Sequence, residues 1–318
     1  MTIARSQQVD VSITPYYHCV SRCVRRSFLC GVDSITGKSY EHRQRWVEQR
    51  IQQLAVIYCI DVCSYAVMSN HYHLVVHINR EKALSLSNRE VIMRWSREHQ
   101  LHPLIVRYLS NDKLNKSSLD KCHEIIACWR ERLFSLSWMM KELNMSIAVK
   151  ANKEDDCTGH FWEGRYKSQA LLDEKALLAA MTYVDLNPVR AGIATTPEHS
   201  NHTSIKLRTL AVKTQVPERC LFEFTGNQAA NSHQGLPFYL HDYLQWVDWV
   251  GKNICKPNSA SIPSYELGIL QRLGLEPHAF MSQCLAIEQR GRLWIGQKVQ
   301  LTAAKSKLGK SRICGLVI

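Results

Sequence analysis

Two histidines separated by one residue, His71 and His73, stand in the segment MSNHYHLVV. If this segment is a β-strand, both side chains point to the same face of the sheet, because side chains alternate along a strand. Two imidazoles on one face can bind one divalent cation together. The alternative is a packing feature of a sheet face, since short motifs also match by chance. His77 falls on the same face but too far along the strand to be an obvious third ligand.

A tyrosine and an asparagine, Tyr183 and Asn187, lie four residues apart in the segment TYVDLNPVRAGI. On a helix this spacing places them on one face. A phenol can act as a nucleophile and form a covalent intermediate, and an asparagine carbonyl one turn away can complete a metal site made by two histidines. Alternatively, Tyr183 packs at a helix–core boundary and Asn187 ends the helix before Pro188.

The elements that would position these residues follow from apolar periodicity, β-forming runs and turn residues. The pattern predicts a strand at 16–21, a helix at 41–57, a hairpin of strands at 61–68 and 71–78, helices near 88–99 and 136–151, a strand within 160–172, and a helix that begins at 173 and ends near 187–188. Interleaved strands and helices of this kind favour an α+β fold, with the sheet on one side and helices on the other.

Charge and hydropathy restrict the class of protein. The 318 residues include 40 Lys plus Arg against 28 Asp plus Glu, a formal net charge of +12, which favours a polyanionic partner such as nucleic acid or, alternatively, a generally basic solvated surface. No apolar run reaches the roughly 18 residues of a membrane span. Because the N-terminal residues also lack the apolar stretch of a secretory signal, we expect a cytoplasmic protein without a membrane partner.

The twelve cysteines do not form a recognisable motif. No Cys-x-x-Cys pair occurs, so the sequence offers neither a zinc ribbon nor a thioredoxin-type redox site. We therefore expect small thiols that pack in the core.

A polar, proline-containing segment at 195–204 marks a candidate boundary. It divides the chain into a first domain at 1–200, with an insertion at about 85–135, and a smaller, mostly α-helical C-terminal region at 201–318. The last thirty residues contain no acidic residue and seven basic ones: Arg290, Arg292, Lys298, Lys305, Lys307, Lys310 and Arg312.

Three motifs occur in a set order along the chain: His71-Tyr72-His73, the segment GRYKS at 164–168, and TYVDLNPVRAGI. With them the chain resembles the REP-associated tyrosine transposases, a branch of the single-tyrosine HUH transposases (insertion-sequence 200-like), over roughly residues 15–200. The resemblance implies a ferredoxin-like HUH nuclease domain, with an antiparallel sheet packed against helices. Residues from 210 onward look like an extension carried by long members of the family.

The resemblance also implies a reaction. His71, His73 and Asn187 would hold Mg²⁺ or Mn²⁺, which polarises the scissile phosphate. Tyr183 would attack single-stranded DNA beside a hairpin from a palindromic repeat, giving a 5′-phosphotyrosine and a free 3′-hydroxyl that later rejoins DNA. Tyr166 is a rival nucleophile of lower rank, because Ala170 rather than an amide follows it by four residues.

Single-stranded DNA requires a basic groove and flat side chains on which bases stack. The candidate DNA-binding residues are Arg22, Arg25, Arg26, Arg165, Lys167 and Trp162. For each of them the alternative is a solvated charge or a core aromatic. Whether the protein acts as a monomer or a homodimer stays open.

Two other classes of function remain. One is a non-catalytic hairpin DNA-binding protein or regulator that relies on its net charge and basic tail. The other is a metal-dependent hydrolase that uses His71 and His73 with water and forms no protein-linked intermediate.

Overall fold

The structure is a computed structural model that describes residues 8–24, 29–32, 37–218, 220–226, 235–255, 268–288 and 291–318. Arg25 and Arg26, two of the predicted DNA contacts, lie outside these ranges. Among the described residues, no helix is long and apolar enough to cross a membrane.

One six-stranded sheet organises the fold. Its strands are β1 (Tyr16–Arg22), β2 (Ile60–Val67), β3 (His71–Ile78), β4 (Lys167–Leu171), β5 (Trp294–Gly296) and β6 (Gly315–Val317). The order across the sheet is β2-β3-β1-β4-β5-β6, with antiparallel pairing from β2 to β4 and parallel pairing from β4 to β6. The predicted first strand and hairpin are confirmed.

The described helices number thirteen and make this a mixed α+β fold. They are α1 (His42–Ile57), α2 (Arg80–Ser85), α3 (Asn88–Trp95), α4 (Pro103–Leu109), α5 (Lys116–Leu133), α6 (Leu136–Glu154), α7 (Glu174–Asp185), α8 (Asn187–Arg190), α9 (Ser204–Thr214), α10 (Leu240–Cys255), α11 (Gly268–Leu273), α12 (Pro277–Leu285) and α13 (Lys298–Lys307).

The two faces of the sheet bury different cores. Alternation along β3 sends Tyr72 and Leu74 into a core shared with α1 and α6, and sends Val75 into a second core shared with α7, α10 and α12. We call the second surface the histidine face, because it also carries His71 and His73, which follow the same alternation as Val75.

Helix α7 covers the histidine face and begins as its sequence predicts. The Asp173 carboxylate accepts a hydrogen bond from the amide of Ala176 at 2.9 Å, and Glu174 lies in the first turn, where the helix dipole favours negative charge. The helix ends at Asp185, and Pro188 stands in the first turn of the short helix α8 that follows.

The segment predicted as an insertion is helical. It contains α2 to α5, in which Ser87 and Glu90 form a capping box at the start of α3. The predicted helix at 88–99 ends earlier, at Trp95, and α5 occupies a segment that the apolar pattern did not resolve. Trp95 stacks on Trp129, which joins α3 to α5 away from the histidine face.

The described part of the region 201–318 contains the five helices α9 to α13, and it also extends the sheet. Strand β5 pairs with β4 and strand β6 with β5, while α10 packs against α8. The boundary near 200 stays a prediction. Of the eleven described cysteines, seven are buried, in line with the expected role as packing thiols.

Candidate functional site

Three neighbouring strands place polar side chains in register on the histidine face. Arg22 of β1 pairs with His71 of β3, and Val20 pairs with His73 on one side and with Lys167 of β4 on the other. Paired residues of neighbouring antiparallel strands point to the same face, as do residues two apart on one strand such as Val20 and Arg22 or His71 and His73, so these side chains share one face. The register therefore brings together charged and titratable groups from distant parts of the sequence.

His73 lies at the centre of this surface and is fully buried. Its Nδ1 is 3.0 Å from Nε2 of His18, and its Nε2 is 3.1 Å from the amide nitrogen of Asn187. The ring of His71 approaches it edge-on, with 4.7 Å between the ring centroids. The predicted convergence of the two histidines with Asn187 is thus present, and His18 joins them.

Burial sets the protonation state of these histidines. Burial lowers the pKa of His73 well below its ordinary value, and the neighbouring His18 and His71 lower it further. Burial also lowers the pKa of His18. For His71, burial and then the positive charge of Arg22 lower the pKa to about 4. All three rings are therefore neutral near pH 7, the form in which imidazole binds metals.

Tyr183 approaches the histidines from helix α7. Its ring centroid is 5.5 Å from that of His73, and its hydroxyl donates a hydrogen bond to the carboxylate of Glu288. The guanidinium of Arg190 lies 4.5 Å from the centre of the tyrosine ring. Burial and the Glu288 carboxylate raise the pKa of Tyr183 to about 12, and Arg190 opposes the rise. The phenol is therefore protonated near neutral pH.

The donor set suits a divalent cation that accepts nitrogen and oxygen ligands. The side chain of Asn70 accepts a hydrogen bond from Nδ1 of His71 at 2.5 Å, which leaves the lone pair of His71 on Nε2. Asn187 is buried and turns its amide nitrogen toward Nε2 of His73, so its amide oxygen could serve as a ligand only with the side-chain amide in the opposite orientation. Imidazole and carbonyl ligands fit Mn²⁺, and the carbonyl also fits Mg²⁺. Within the described ranges no group of three His, Cys, Asp or Glu side chains is placed to hold a metal.

Two of the predicted DNA contacts border this site and two do not. Arg22 and Lys167 are exposed and lie on the histidine face. Arg165 is exposed before β4 begins. Trp162 packs edge-on against Tyr72 of the other core, and its indole nitrogen donates to the carbonyl of Asn144 at 2.8 Å.

Tyr166, the rival nucleophile, is also separated from the histidines. It belongs to the core on the opposite face of the sheet, where its hydroxyl is 3.4 Å from that of Ser137 in α6. The structure therefore places Tyr183 and not Tyr166 beside His73.

Three residues at the site were not found from sequence: His18, Gln169 and Glu288. The amide oxygen of Gln169 lies 2.7 Å from Nδ1 of His18, and its amide nitrogen donates to the backbone carbonyls of Ile287 and Arg292. The predicted strand YYHCVS at 16–21 contains His18, but its pairing with β3 and β4 was not predicted. Glu288 is 105 residues from Tyr183, and no local pattern joins them.

Comparisons with known proteins add little at the level of sequence. No family model matches the chain, and no curated protein matches it. Among solved structures, the chain is similar to a REP-associated tyrosine transposase bound to a REP hairpin, with a TM-score of 0.39 and 10% sequence identity over 74% of this chain and 97% of that one.

Proposed function

We propose that this protein cleaves single-stranded DNA beside a hairpin and rejoins strands through a phosphotyrosine on Tyr183, as a metal-dependent single-tyrosine transposase of the HUH class. The observation that carries the proposal is that Tyr183 of α7 and Asn187 of α8 lie against His73 on the histidine face of the sheet, with His71 beside it. The sequence resemblance to REP-associated tyrosine transposases names the same four residues.

The topology supports the same class. The first four strands have the order β2-β3-β1-β4 with antiparallel pairing, and helices follow β1 and β3 along the chain. This β-α-β-β-α-β succession supports the ferredoxin-like domain that the resemblance implies. It places the central strands β1 and β3 next to each other, and these strands carry the three histidines.

In the proposed reaction, the hydroxyl oxygen of Tyr183 forms a bond to the phosphorus as the bond from phosphorus to the 3′-oxygen breaks. The DNA on the 3′ side remains attached through its 5′-phosphate, and the departing strand ends in a 3′-hydroxyl. A divalent cation held by His71, His73 and Asn187 would stabilise charge on the phosphate oxygens. Attack by that 3′-hydroxyl on the phosphotyrosine reverses the step, so rejoining needs no external energy source.

The proton of Tyr183 also needs an acceptor, because burial keeps the phenol neutral. The Glu288 carboxylate already accepts a hydrogen bond from this hydroxyl. Its side chain is 42% exposed, so a proton taken from Tyr183 can pass to water and reach the departing 3′-oxygen. Glu288 is thus the proposed general base.

The test uses the full chain and a DNA hairpin with a single-stranded flank, labelled at its 3′ end. With Mn²⁺ or Mg²⁺, we expect a labelled protein band on a denaturing gel that chelation prevents. Tyr183→Phe should abolish this band. Tyr166→Phe, the matched loss of a hydroxyl on the opposite face, should retain it.

Three results would contradict the proposal in different ways. A covalent adduct in Tyr183→Phe places the nucleophile elsewhere. Cleavage without any adduct indicates a hydrolase that uses water. Hairpin binding without cleavage, unaffected by chelation, indicates a DNA-binding regulator.

The regulator is the second candidate, and the exposed lysines of α13 favour it. Lys298, Lys305 and Lys307 are exposed, and residues 289–318 contain no acidic side chain. Deletion of this segment would remove β5 and β6 from the sheet, so substitution is the better test. Replacing the three lysines by Gln should reduce the salt dependence of hairpin binding by about three units of slope if all three contact phosphates.

A further inference from the structure

The amide of Gln169 is oriented by two backbone carbonyls. Its nitrogen donates to the carbonyl oxygens of Ile287 and Arg292, each at 3.0 Å. A carbonyl oxygen only accepts hydrogen bonds, so the amide nitrogen must face these two groups. The amide oxygen of Gln169 therefore faces the other way, toward His18.

This orientation determines which nitrogen of His18 carries the proton. The amide oxygen of Gln169 lies 2.7 Å from Nδ1 of His18. Because that oxygen can only accept, Nδ1 of His18 donates. The ring is fully buried, where a second proton would leave an uncompensated charge, so its Nε2 is left with a lone pair.

The same reasoning extends to His73. Nε2 of His18 is 3.0 Å from Nδ1 of His73. Since Nε2 of His18 must accept, Nδ1 of His73 carries the proton and Nε2 of His73 carries the lone pair. The amide nitrogen of Asn187, at 3.1 Å from that Nε2, is a donor in agreement with this assignment.

We propose that Gln169 and His18 are positioning residues that hold His73 in its Nδ1–H tautomer, with the Nε2 lone pair directed toward Asn187 and the proposed cation. The backbone carbonyls of Ile287 and Arg292 set this arrangement through Gln169. The consequence for the cation rests on the proposed function, whereas the tautomer itself does not. Hydrogen-bond partners of this kind fix the tautomer and ring orientation of a metal-binding histidine. Their loss weakens metal binding about 10- to 100-fold.

The first measurement reads the tautomer without any metal. Long-range ¹H–¹⁵N correlation spectra of the ¹⁵N-labelled full chain distinguish Nδ1–H from Nε2–H imidazole, and the signals of His73 are those that His73→Ala removes. We expect the Nδ1–H form in the wild type. An Nε2–H form in the wild type overturns the proposal without the need for any variant.

The second measurement follows Mn²⁺ binding by electron paramagnetic resonance. Gln169→Leu and His18→Phe should each weaken Mn²⁺ binding by about 10- to 100-fold and release His73 into a mixture of tautomers. Ser168→Ala, on the same strand but on the opposite face, should leave both readouts unchanged. An unchanged Mn²⁺ affinity and tautomer in both Gln169→Leu and His18→Phe overturns the proposal.

The two hypotheses fail in distinguishable ways. A wild type that binds no Mn²⁺, or binds it unchanged in His73→Ala, contradicts the metal site of the proposed function. If His73 in that wild-type protein is still in the Nδ1–H form, and Gln169→Leu abolishes this form, the role of Gln169 and His18 in fixing the tautomer is supported without the metal site.

Discussion

A buried carboxylate on α7 offers the sharpest test of how the proposed nucleophile, Tyr183, is held in place. Asp185 lies between Tyr183 and Asn187 in sequence and is fully buried. Its carboxylate accepts hydrogen bonds from the hydroxyl of Tyr243 in α10, at 2.5 Å, and from the hydroxyl of Ser204 in α9. Tyr243→Phe removes one of these donors and keeps the ring, so it opens no cavity.

The expected cost follows from the chemistry of this bond. A hydrogen bond to a charged group contributes about 1.5–3 kcal/mol, and a buried acceptor that loses its donor carries a desolvation cost of similar size. We therefore expect Tyr243→Phe to lower the free energy of unfolding by about 2 kcal/mol. With a urea m-value of about 3 kcal/mol/M, the unfolding midpoint should fall by roughly 0.7 M.

The pH dependence has a definite sign. Burial raises the pKa of Asp185, while Ser204, Tyr243 and Arg208 oppose that rise. A carboxyl group whose folded pKa is raised contributes its stability below the unfolded pKa and loses it as pH rises through the folded pKa. Tyr243→Phe raises the folded pKa of Asp185 further, so its cost should be larger at pH 7 than at pH 4.

Urea unfolding followed by circular dichroism at the two pH values measures this cost. Tyr239→Phe is the matched control, because Tyr239 is 51% exposed, and its midpoint should stay within the range of about 0.5 kcal/mol expected for surface substitutions. If Tyr243→Phe unfolds at the same urea concentration as Tyr239→Phe at both pH values, the hydrogen bond to Asp185 does not stabilise α7 and the reasoning is refuted.

Three further predictions concern the proposed reaction and its supports. Glu288→Gln should slow adduct formation about 100-fold by removing the general base, with Glu163→Gln as an exposed control; an equal rate in both variants would exclude that role. Lys167→Gln should reduce the salt slope of hairpin binding by about one unit, and an unchanged slope would remove Lys167 from the DNA contacts. A chain that ends at residue 200 lacks β5, β6 and α10 and should show no cooperative urea transition, whereas a sharp transition would support a folding boundary there.

Local patterns were sufficient for much of the first half of the fold. The alternation around His71 and His73 predicted a strand with both rings on one face, and the acidic start at Asp173 predicted the first turn of α7. These features depend on residues close together in sequence. The helix α5 was not predicted, although its buried residues Cys122, Ile126, Trp129 and Leu133 recur at helical spacing.

The rest of the site depends on pairing between distant strands. His18 lies near His73 only because β1 pairs with β3 in one particular antiparallel register; a shift by one residue would turn His18 to the other face of the sheet. Gln169 depends in the same way on β4 pairing with β1. A single sequence does not determine either strand register, so His18 and Gln169 were not identified as part of the site.

Two hydrogen-bonded chains involve the elements that carry the proposed reaction centre. One runs from the carbonyls of Ile287 and Arg292 through Gln169 and His18 to His73, on the sheet. The other runs from Tyr243 to Asp185, on the helix that carries Tyr183. Since buried polar groups are costly when unpaired, each chain favours one arrangement of the residues it joins. His73 and the proposed nucleophile Tyr183 belong to different elements, and each of the two chains includes a residue beyond 200, Ile287 in one and Tyr243 in the other.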